Sequence, residues 1–162
     1  MEAVRQLKWE MPKDVMVVHL TLVPYLSASG ELKTKPTQHS VKLLQEFGVN
    51  ADVLVCRTEH PLSSDLKRKV ALFCNVETNA VIEARDAQSI YEVPMLMEKE
   101  QLDLVVLNKL GLSSEKPTNL SHWKEFVNTL YNPKNEVSIG LVGKYIELKD
   151  AYKSINEAFI HS

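Results

Sequence analysis

The sequence predicts an α/β fold in which helices cover both faces of a doubly wound parallel sheet. Short apolar runs rich in β-branched residues alternate with segments whose apolar residues recur at helical spacing. Several of these segments carry a start or stop signal for a helix, such as Pro36, Ser63 and Gly48. Strands that alternate with helices of this length are typical of parallel β-α-β units, which place the sheet between two helical layers.

The first β-α unit is predicted from two neighbouring segments. Residues 15–22, Val-Met-Val-Val-His-Leu-Thr-Leu, are short, apolar and β-branched, which indicates a buried strand. A helix is predicted over residues 37–47, and Gly48 is its stop signal. Its predicted apolar face consists of Val41, Leu44 and Phe47.

The second unit repeats this pattern and adds a third strand. Residues 52–56 predict a strand, and a helix follows that Ser63 or Ser64 caps. Its predicted buried stripe consists of Leu66, Val70 and Phe73, which fall at i, i+4 and i+7. Residues 80–84 then predict a third short strand.

The following stretch reads as mainly helical. Breaks are expected near Pro94 and Gly111. Residues 112–119, rich in Ser, Lys, Pro and Thr, predict a loop that leads to a helix capped by Ser121. The apolar face predicted for that helix consists of Trp123, Phe126, Val127 and Leu130.

The last part of the chain predicts the beginning of another α/β unit. Residues 132–135, Asn-Pro-Lys-Asn, mark a break in the helical pattern. A strand is predicted over residues 137–142, a turn over residues 143–149 and a helix over residues 150–161.

Composition and charge limit the class of protein. The 162 residues are 44% hydrophobic and 25% charged, which is the balance of an ordinary globular domain. The formal net charge of −2 provides no general attraction to nucleic acid, so we expect no nucleic-acid partner and any polyanion site must be a local cluster. No apolar stretch approaches the roughly 18 residues of a membrane span, and no secretory signal is evident, which predicts a cytoplasmic protein without membrane contact.

The cysteines and histidines predict neither a metal site nor a nucleophile. Cys56 and Cys74 match no disulfide framework or zinc pattern, so we expect two reduced, buried thiols. His19 lies inside an apolar run, which favours a hydrogen-bonded core residue. The other histidines form no i, i+4 pair that could hold a metal ion.

Residues 30–40, Gly-Glu-Leu-Lys-Thr-Lys-Pro-Thr-Gln-His-Ser, are the strongest candidate for a binding site. If the segment is extended, Lys33 and Lys35 project to the same side. Pro36 and Thr37 then begin a helix, whose free N–H groups and positive dipole end favour a phosphate or carboxylate. The alternative is a solvated basic turn that simply precedes a helix.

Longer blocks of the chain resemble CTP synthase, a glutamine-dependent amidoligase. The motif Lys-Thr-Lys-Pro-Thr-Gln-His-Ser at residues 33–40 is long enough to be specific. Further similar blocks include Lys-Val-Ala-Leu-Phe-Cys-Asn-Val at residues 69–76 and Val-Gly-Lys-Tyr-Ile-Glu-Leu-Lys-Asp-Ala-Tyr-Lys-Ser at residues 142–154. Residues 19–25 and 89–94 extend the resemblance to nearly the whole chain.

The resemblance implies a division of the chain into three parts. Residues 1–111 would be the C-terminal part of the amidoligase domain, with an incomplete, three-layer Rossmann-like parallel sheet. Residues 112–135 would be an interdomain linker with a helix. Residues 136–162 would be the first β-α unit of a class I glutamine amidotransferase domain.

The resemblance also implies two groups of nucleotide-binding residues and no catalytic residue or metal ligand. The residues expected to contact UTP, and CTP as product and inhibitor, are Lys33, Thr34, Lys35, Pro36, Thr37, Gln38 and Lys69. The residues expected to contact the adenine of ATP are Arg85, Asp86 and Ala87. A weaker correspondence links Lys144, Tyr145 and Lys153 to activation by GTP.

The activity implied by the resemblance is synthesis of CTP from UTP, ATP and glutamine, with Mg²⁺, in a homo-oligomer that is tetrameric in the family. ATP phosphorylates the 4-oxygen of UTP, and ammonia then displaces the phosphate. No segment fits the phosphate-loop pattern G-x-x-x-x-G-K-[ST], so we expect these residues alone to be inactive. An alternative is a non-catalytic nucleotide-binding or assembly module.

Overall fold

The computed structural model describes residues 1–113 and 116–161, which belong to two compact units, Met1–Asn119 and Leu120–Ser162. The helices of the first unit are α1 (Glu2–Glu10), α2 (Lys35–Glu46), α3 (Ser64–Cys74), α4 (Val93–Lys99) and α5 (Leu102–Lys109). Its strands are β1 (Val18–Leu22), β2 (Tyr25–Leu26), β3 (Glu31–Leu32), β4 (Val53–Thr58) and β5 (Val81–Arg85). The helices of the second unit are α6 (Ser121–Tyr131) and α7 (Lys153–His161).

The main sheet of the first unit is parallel, as the sequence predicts. Its strand order is β1-β4-β5, with Val18 opposite Val53 and Leu54 opposite Val81. β4 is apolar on both sides and lies in the middle of the three strands, where a strand is covered on both faces.

Helices pack on both faces of this sheet, which confirms the predicted α/β architecture with its two helical layers. On one face, Leu54 and Cys56 form a core with residues of α2 and α3, such as Val41 and Val70. On the other face, Ile82 and its neighbours Val53 and Val55 pack against α4 and α5, which contribute Met97, Leu102 and Val105.

The first strand is shorter and more exposed than predicted. It begins at Val18 instead of residue 15, and Leu20 is 68% exposed, although a buried strand was expected. The reason is its position: β1 is the edge of the three-stranded sheet, and the second helical layer contacts β4 and β5. Val18, Leu20 and Leu22 therefore form an open apolar row.

The apolar faces predicted for α2 and α3 are correct in the middle of each helix and wrong at their last residue. Val41, Leu44 and Val70 are buried, but Phe47 and Phe73 are each 59% exposed. Phe47 lies just beyond the end of α2, and the buried face of α3 includes Ala71 and Cys74 instead of Phe73.

The start of α3 confirms one of the two predicted caps. The Ser63 Oγ accepts a hydrogen bond from the backbone N–H of Leu66 at 3.2 Å, which satisfies a free donor of the first turn.

Two features of the first unit had no counterpart in the sequence prediction. The helix α1 contributes no buried residue, and its Lys8 pairs with Asp52, whose carboxylate also accepts the Val17 N–H at 2.7 Å. The strands β2 and β3 form a short antiparallel hairpin whose turn uses Gly30 at φ +65°.

The second unit contains helices where they were predicted but lacks the predicted strand. Residues 137–142 have no strand structure, and Val142 is 98% exposed. A strand requires a hydrogen-bonded neighbour, and the described residues of this unit include no other strand. The predicted cap, Ser121, is instead the first residue of α6. Leu120 occupies the cap position, because its carbonyl already accepts the Lys124 N–H at 2.8 Å.

Candidate functional site

The predicted binding segments lie beyond the carboxyl ends of the three parallel strands. β1 ends at Leu22, β4 at Thr58 and β5 at Arg85. In an open α/β sheet, this edge is where ligands bind, because loops from neighbouring strands converge there.

The lysine motif follows the hairpin and differs from the predicted extended form. The Lys33 N–H donates to the Pro24 carbonyl at 2.9 Å, which holds the start of the motif against the first strand of the hairpin. Thr34 has helical angles, φ −87° and ψ −12°, and α2 begins at Lys35 rather than at residue 37. Lys35 already belongs to the first helical turn. The prediction that Lys33 and Lys35 share a side of an extended segment is therefore wrong.

Thr37 of the motif ties the helix start to the end of β1, and Thr34 forms a hydrogen bond within the helix start. Thr34 and Thr37 are both buried, and the Thr37 Oγ1 donates to the Leu22 carbonyl at 2.8 Å. The Gln38 Nε2 donates to the Thr34 Oγ1 at 3.2 Å. These bonds leave Lys35 and Pro36 exposed at the free N-terminus of α2.

Lys33 and Lys69, which are distant in sequence, act on the same carboxylate. Lys33 forms an ion pair with Glu31, and its hydrogen bond and charge lower the pKa of Glu31 below the ordinary value. The charge of Lys69, on the exposed side of α3, lowers that pKa further. Of the predicted UTP-contacting residues, Lys33 therefore contacts Glu31 directly, whereas Lys69 acts on it through its charge alone. Glu31 itself was not predicted, and the only sequence signal for it is its position two residues before Lys33.

The predicted ATP-contacting residues line a cavity of about 440 Å³. Arg85, Asp86 and Ala87 all contribute to its wall. The Asp86 N–H donates to the Thr58 carbonyl at 3.0 Å, which fixes this loop to the end of the neighbouring strand. The Asp86 carboxylate accepts from the Arg57 Nε at 3.1 Å.

Arg57 connects the two predicted binding segments. A second cavity of about 420 Å³ is lined by Pro36 and Ser40 of α2. Arg57 and Leu20 line both cavities, so the guanidinium lies between the lysine motif and the Asp86 loop. Sequence reasoning missed Arg57, although its position near the carboxyl end of an apolar strand is a signal that could have identified it.

A larger cavity, about 690 Å³, lies away from both predicted segments. It is lined by Thr78 and Asn79 near the amino end of β5 and by Leu104 and Asn108 of α5. Its wall also contains Lys67, which pairs with Glu100 at 2.5 Å. It contains none of the residues predicted to contact a nucleotide.

The remaining candidate residues behave as structural groups. The His19 Nε2 lies 2.8 Å from the Ser40 Oγ, which confirms the expected hydrogen bond. His19 is, however, half-buried on the edge strand β1 and not a core residue, and burial lowers its pKa. Cys56 and Cys74 are free and buried, as predicted. Burial, followed by the charge of Cys74, raises the pKa of Cys56 to about 12, so the thiol stays protonated.

Neither a metal centre nor a membrane span is found in the described part of the chain. Within residues 1–113 and 116–161, no group of three His, Cys, Asp or Glu side chains could hold a metal ion. No helix there combines the length and the hydrophobicity that crossing a membrane requires.

The residues weakly linked to GTP lie in the second unit. The Lys144 Nζ is 4.9 Å from the centre of the Tyr145 ring, and the Tyr152 hydroxyl donates to the Lys144 carbonyl at 2.6 Å. Lys153 is the first residue of α7. These contacts fold the turn on itself and identify no ligand.

Comparison with known proteins gives one consistent result. A family model described as CTP synthase N-terminus matches residues 1–112. The chain is 65% identical to a CTP synthase of Cytophaga hutchinsonii and 55% identical to one of Methanocaldococcus jannaschii, over 100% of this chain in both cases. It is 62% identical, over 99% of its length, to a CTP synthase of Christiangramia forsetii. In each case it spans 30% of the length of the relative.

Proposed function

Since the chain belongs to the CTP synthase family, we propose that it supplies the pyrimidine-nucleotide site of an enzyme that makes CTP from UTP, ATP and glutamine. The observation that carries this proposal is the position of Lys33 and Lys35 at the exposed start of α2, beyond the carboxyl end of β1. A triphosphate needs several positive charges at one place, and this edge of the sheet offers them.

Each residue of the motif has a role that its chemistry suits. Lys33, Lys35 and Lys69 neutralise the triphosphate of UTP, and of CTP when it binds as product or inhibitor. The Gln38 amide, which donates to Thr34, retains its carbonyl oxygen as an acceptor for the ligand. Thr34, Pro36 and Thr37 set the direction of the helix that presents these groups.

The cavity beside Asp86 is proposed to receive the adenine end of ATP, with Arg85 and Ala87 on its wall. The γ-phosphoryl group then passes to the 4-oxygen of UTP: a new O–P bond forms, and the bond to the ADP oxygen breaks. Ammonia from glutamine attacks C4 of the pyrimidine, and phosphate leaves. The described residues of this chain bind and orient the nucleotides, and Mg²⁺ is assigned to none of them.

The assignments for the rest of the chain are part of this proposal. The match to the Cytophaga hutchinsonii CTP synthase extends beyond residue 112, where the family model ends, and this supports a linker over residues 112–135 and the start of a glutamine amidotransferase domain over residues 136–162. Activation by GTP through the turn at Lys144 and Tyr145, and assembly into a homo-oligomer, belong to the same proposal.

One observation favours a second candidate, a non-catalytic module that acts through assembly. The open row of Val18, Leu20 and Leu22 leaves apolar surface on an edge strand, and such an edge favours association with other protein surface. An assembly module would keep the fold of the first unit but need not bind UTP.

Calorimetric titration of the chain with UTP and with CTP separates the two. We expect saturable binding that is lost in the variant Lys33→Ala plus Lys35→Ala. The matched control, Lys13→Ala plus Lys42→Ala, removes two exposed lysines outside the motif and should bind as the unaltered chain does. If the folded chain binds neither nucleotide, the proposed site is wrong for this chain and the assembly role is favoured.

A further inference from the structure

We propose that Glu31 is a built-in competitor of the anionic ligand: its carboxylate occupies Lys33 in the ligand-free chain and must leave before a phosphate group can bind there. This inference rests on the proposed function, because it concerns the same lysines. It assigns a regulatory role to a residue that neither the sequence patterns nor the family motif identifies.

The ion pair of Glu31 with Lys33 can open so that another anion replaces the Glu31 carboxylate. Glu31 lies in β3 and Lys33 directly follows its last residue, Leu32, and the two side chains form the ion pair at the surface. Their side chains are 55% and 39% exposed, respectively, so water can replace either partner. Exposed ion pairs of this kind contribute little to stability and open readily.

The surroundings of Glu31 are those that a phosphate would meet. Lys33 contacts its carboxylate directly, and the exposed Lys69 of α3 adds a weaker positive charge. Together they lower the pKa of Glu31, as expected for an anion held among positive charges. The carboxylate therefore stands in for the anion when no ligand is present.

Displacement of Glu31 favours ligands that carry several charges. A triphosphate offers more charge and more acceptor atoms than one carboxylate and can engage Lys33 and Lys69 at once. An anion with a single charge only replaces the contact that Glu31 already provides. Glu31 thus raises the threshold for anion binding at this edge.

Calorimetry with inorganic tripolyphosphate tests the proposal at low ionic strength. We expect Glu31→Gln to bind tripolyphosphate roughly threefold more tightly than the unaltered chain. Salt at about 0.5 M should remove the gain. The control Glu77→Gln breaks another exposed ion pair, with Lys109 at 3.0 Å, and should leave the affinity unchanged.

The third variant, Glu31→Gln in the Lys33→Ala background, shows whether the gain acts through Lys33. The proposal requires that this background show no gain. Equal or weaker binding by Glu31→Gln, or a gain that survives Lys33→Ala, would overturn the role of Glu31 and leave the proposed function standing. If no variant binds tripolyphosphate, the proposed anion site fails and the role of Glu31 fails with it.

Discussion

The two compact units use similar apolar runs with different results. In the first unit, residues 53–58 form a central strand that neighbours cover from both sides. In the second unit, residues 137–142 are equally apolar but form no strand. Among the described hydrophobic residues of this unit, only Val127 is buried. The difference shows that a strand depends on a hydrogen-bonded partner strand, whereas α6 and α7 close their backbone hydrogen bonds within one segment.

The strongest test of this comparison is to truncate one side chain in each unit. Leu54 of β4 is fully buried in the core that it forms with residues of α2 and α3, so Leu54→Ala should lower the free energy of unfolding by about 2–5 kcal/mol. Val142→Ala removes an exposed side chain and should change it by less than about 0.5 kcal/mol. Urea denaturation followed by circular dichroism measures both, and similar losses would contradict the contrast between the units.

Alkylation of the two cysteine thiols is a second test of the comparison, because both thiols lie in the core of the first unit. With a pKa of about 12, Cys56 exposes almost no thiolate at pH about 8, and burial also raises the pKa of Cys74. We expect iodoacetamide to modify neither cysteine until the first unit unfolds, as measured by mass spectrometry. Rapid alkylation of the native chain would mean that this core opens as easily as the second unit.

The smallest expected effect is the pH dependence that His19 adds to the first unit. Burial lowers the His19 pKa, so the unfolded chain takes up this proton at a higher pH than the folded chain does. The contribution to stability is complete above the unfolded pKa of about 6.5 and declines as the pH falls through it. Thermal unfolding at several pH values should show this decline, and His19→Gln should remove that part of it. An unchanged pH profile in the variant would assign the decline to other groups.

Much of the first unit could be predicted from sequence because its signals are local. Pro36 and Gly48 correctly bound α2 to within two residues, and Ser63 caps α3. The errors arise where the burial of a residue depends on residues that are distant in sequence. Phe47 and Phe73 fit an apolar stripe, yet each is 59% exposed.

The candidate site shows the same limit. The paired lysines, the helix start at Pro36 and a resemblance to a family motif identify residues 33–38, whereas residues 85–87 are identified by resemblance alone. The effect of the Lys69 charge on Glu31, and the position of Arg57 beside two cavities, depend on how β4 and α3 fold against the hairpin. Spacing along the chain carries no information about such contacts.

The central claim is that UTP binds in the first unit, at the carboxyl edge of its sheet. The most direct test is to titrate the ¹⁵N-labelled chain with UTP and record the amide chemical shifts. The account predicts that the shifts concentrate at residues 33–38 and at Lys69, while amides of the second unit, including Lys144, stay unchanged. Shifts centred on Asn79 and Asn108, or confined to the second unit, would contradict it.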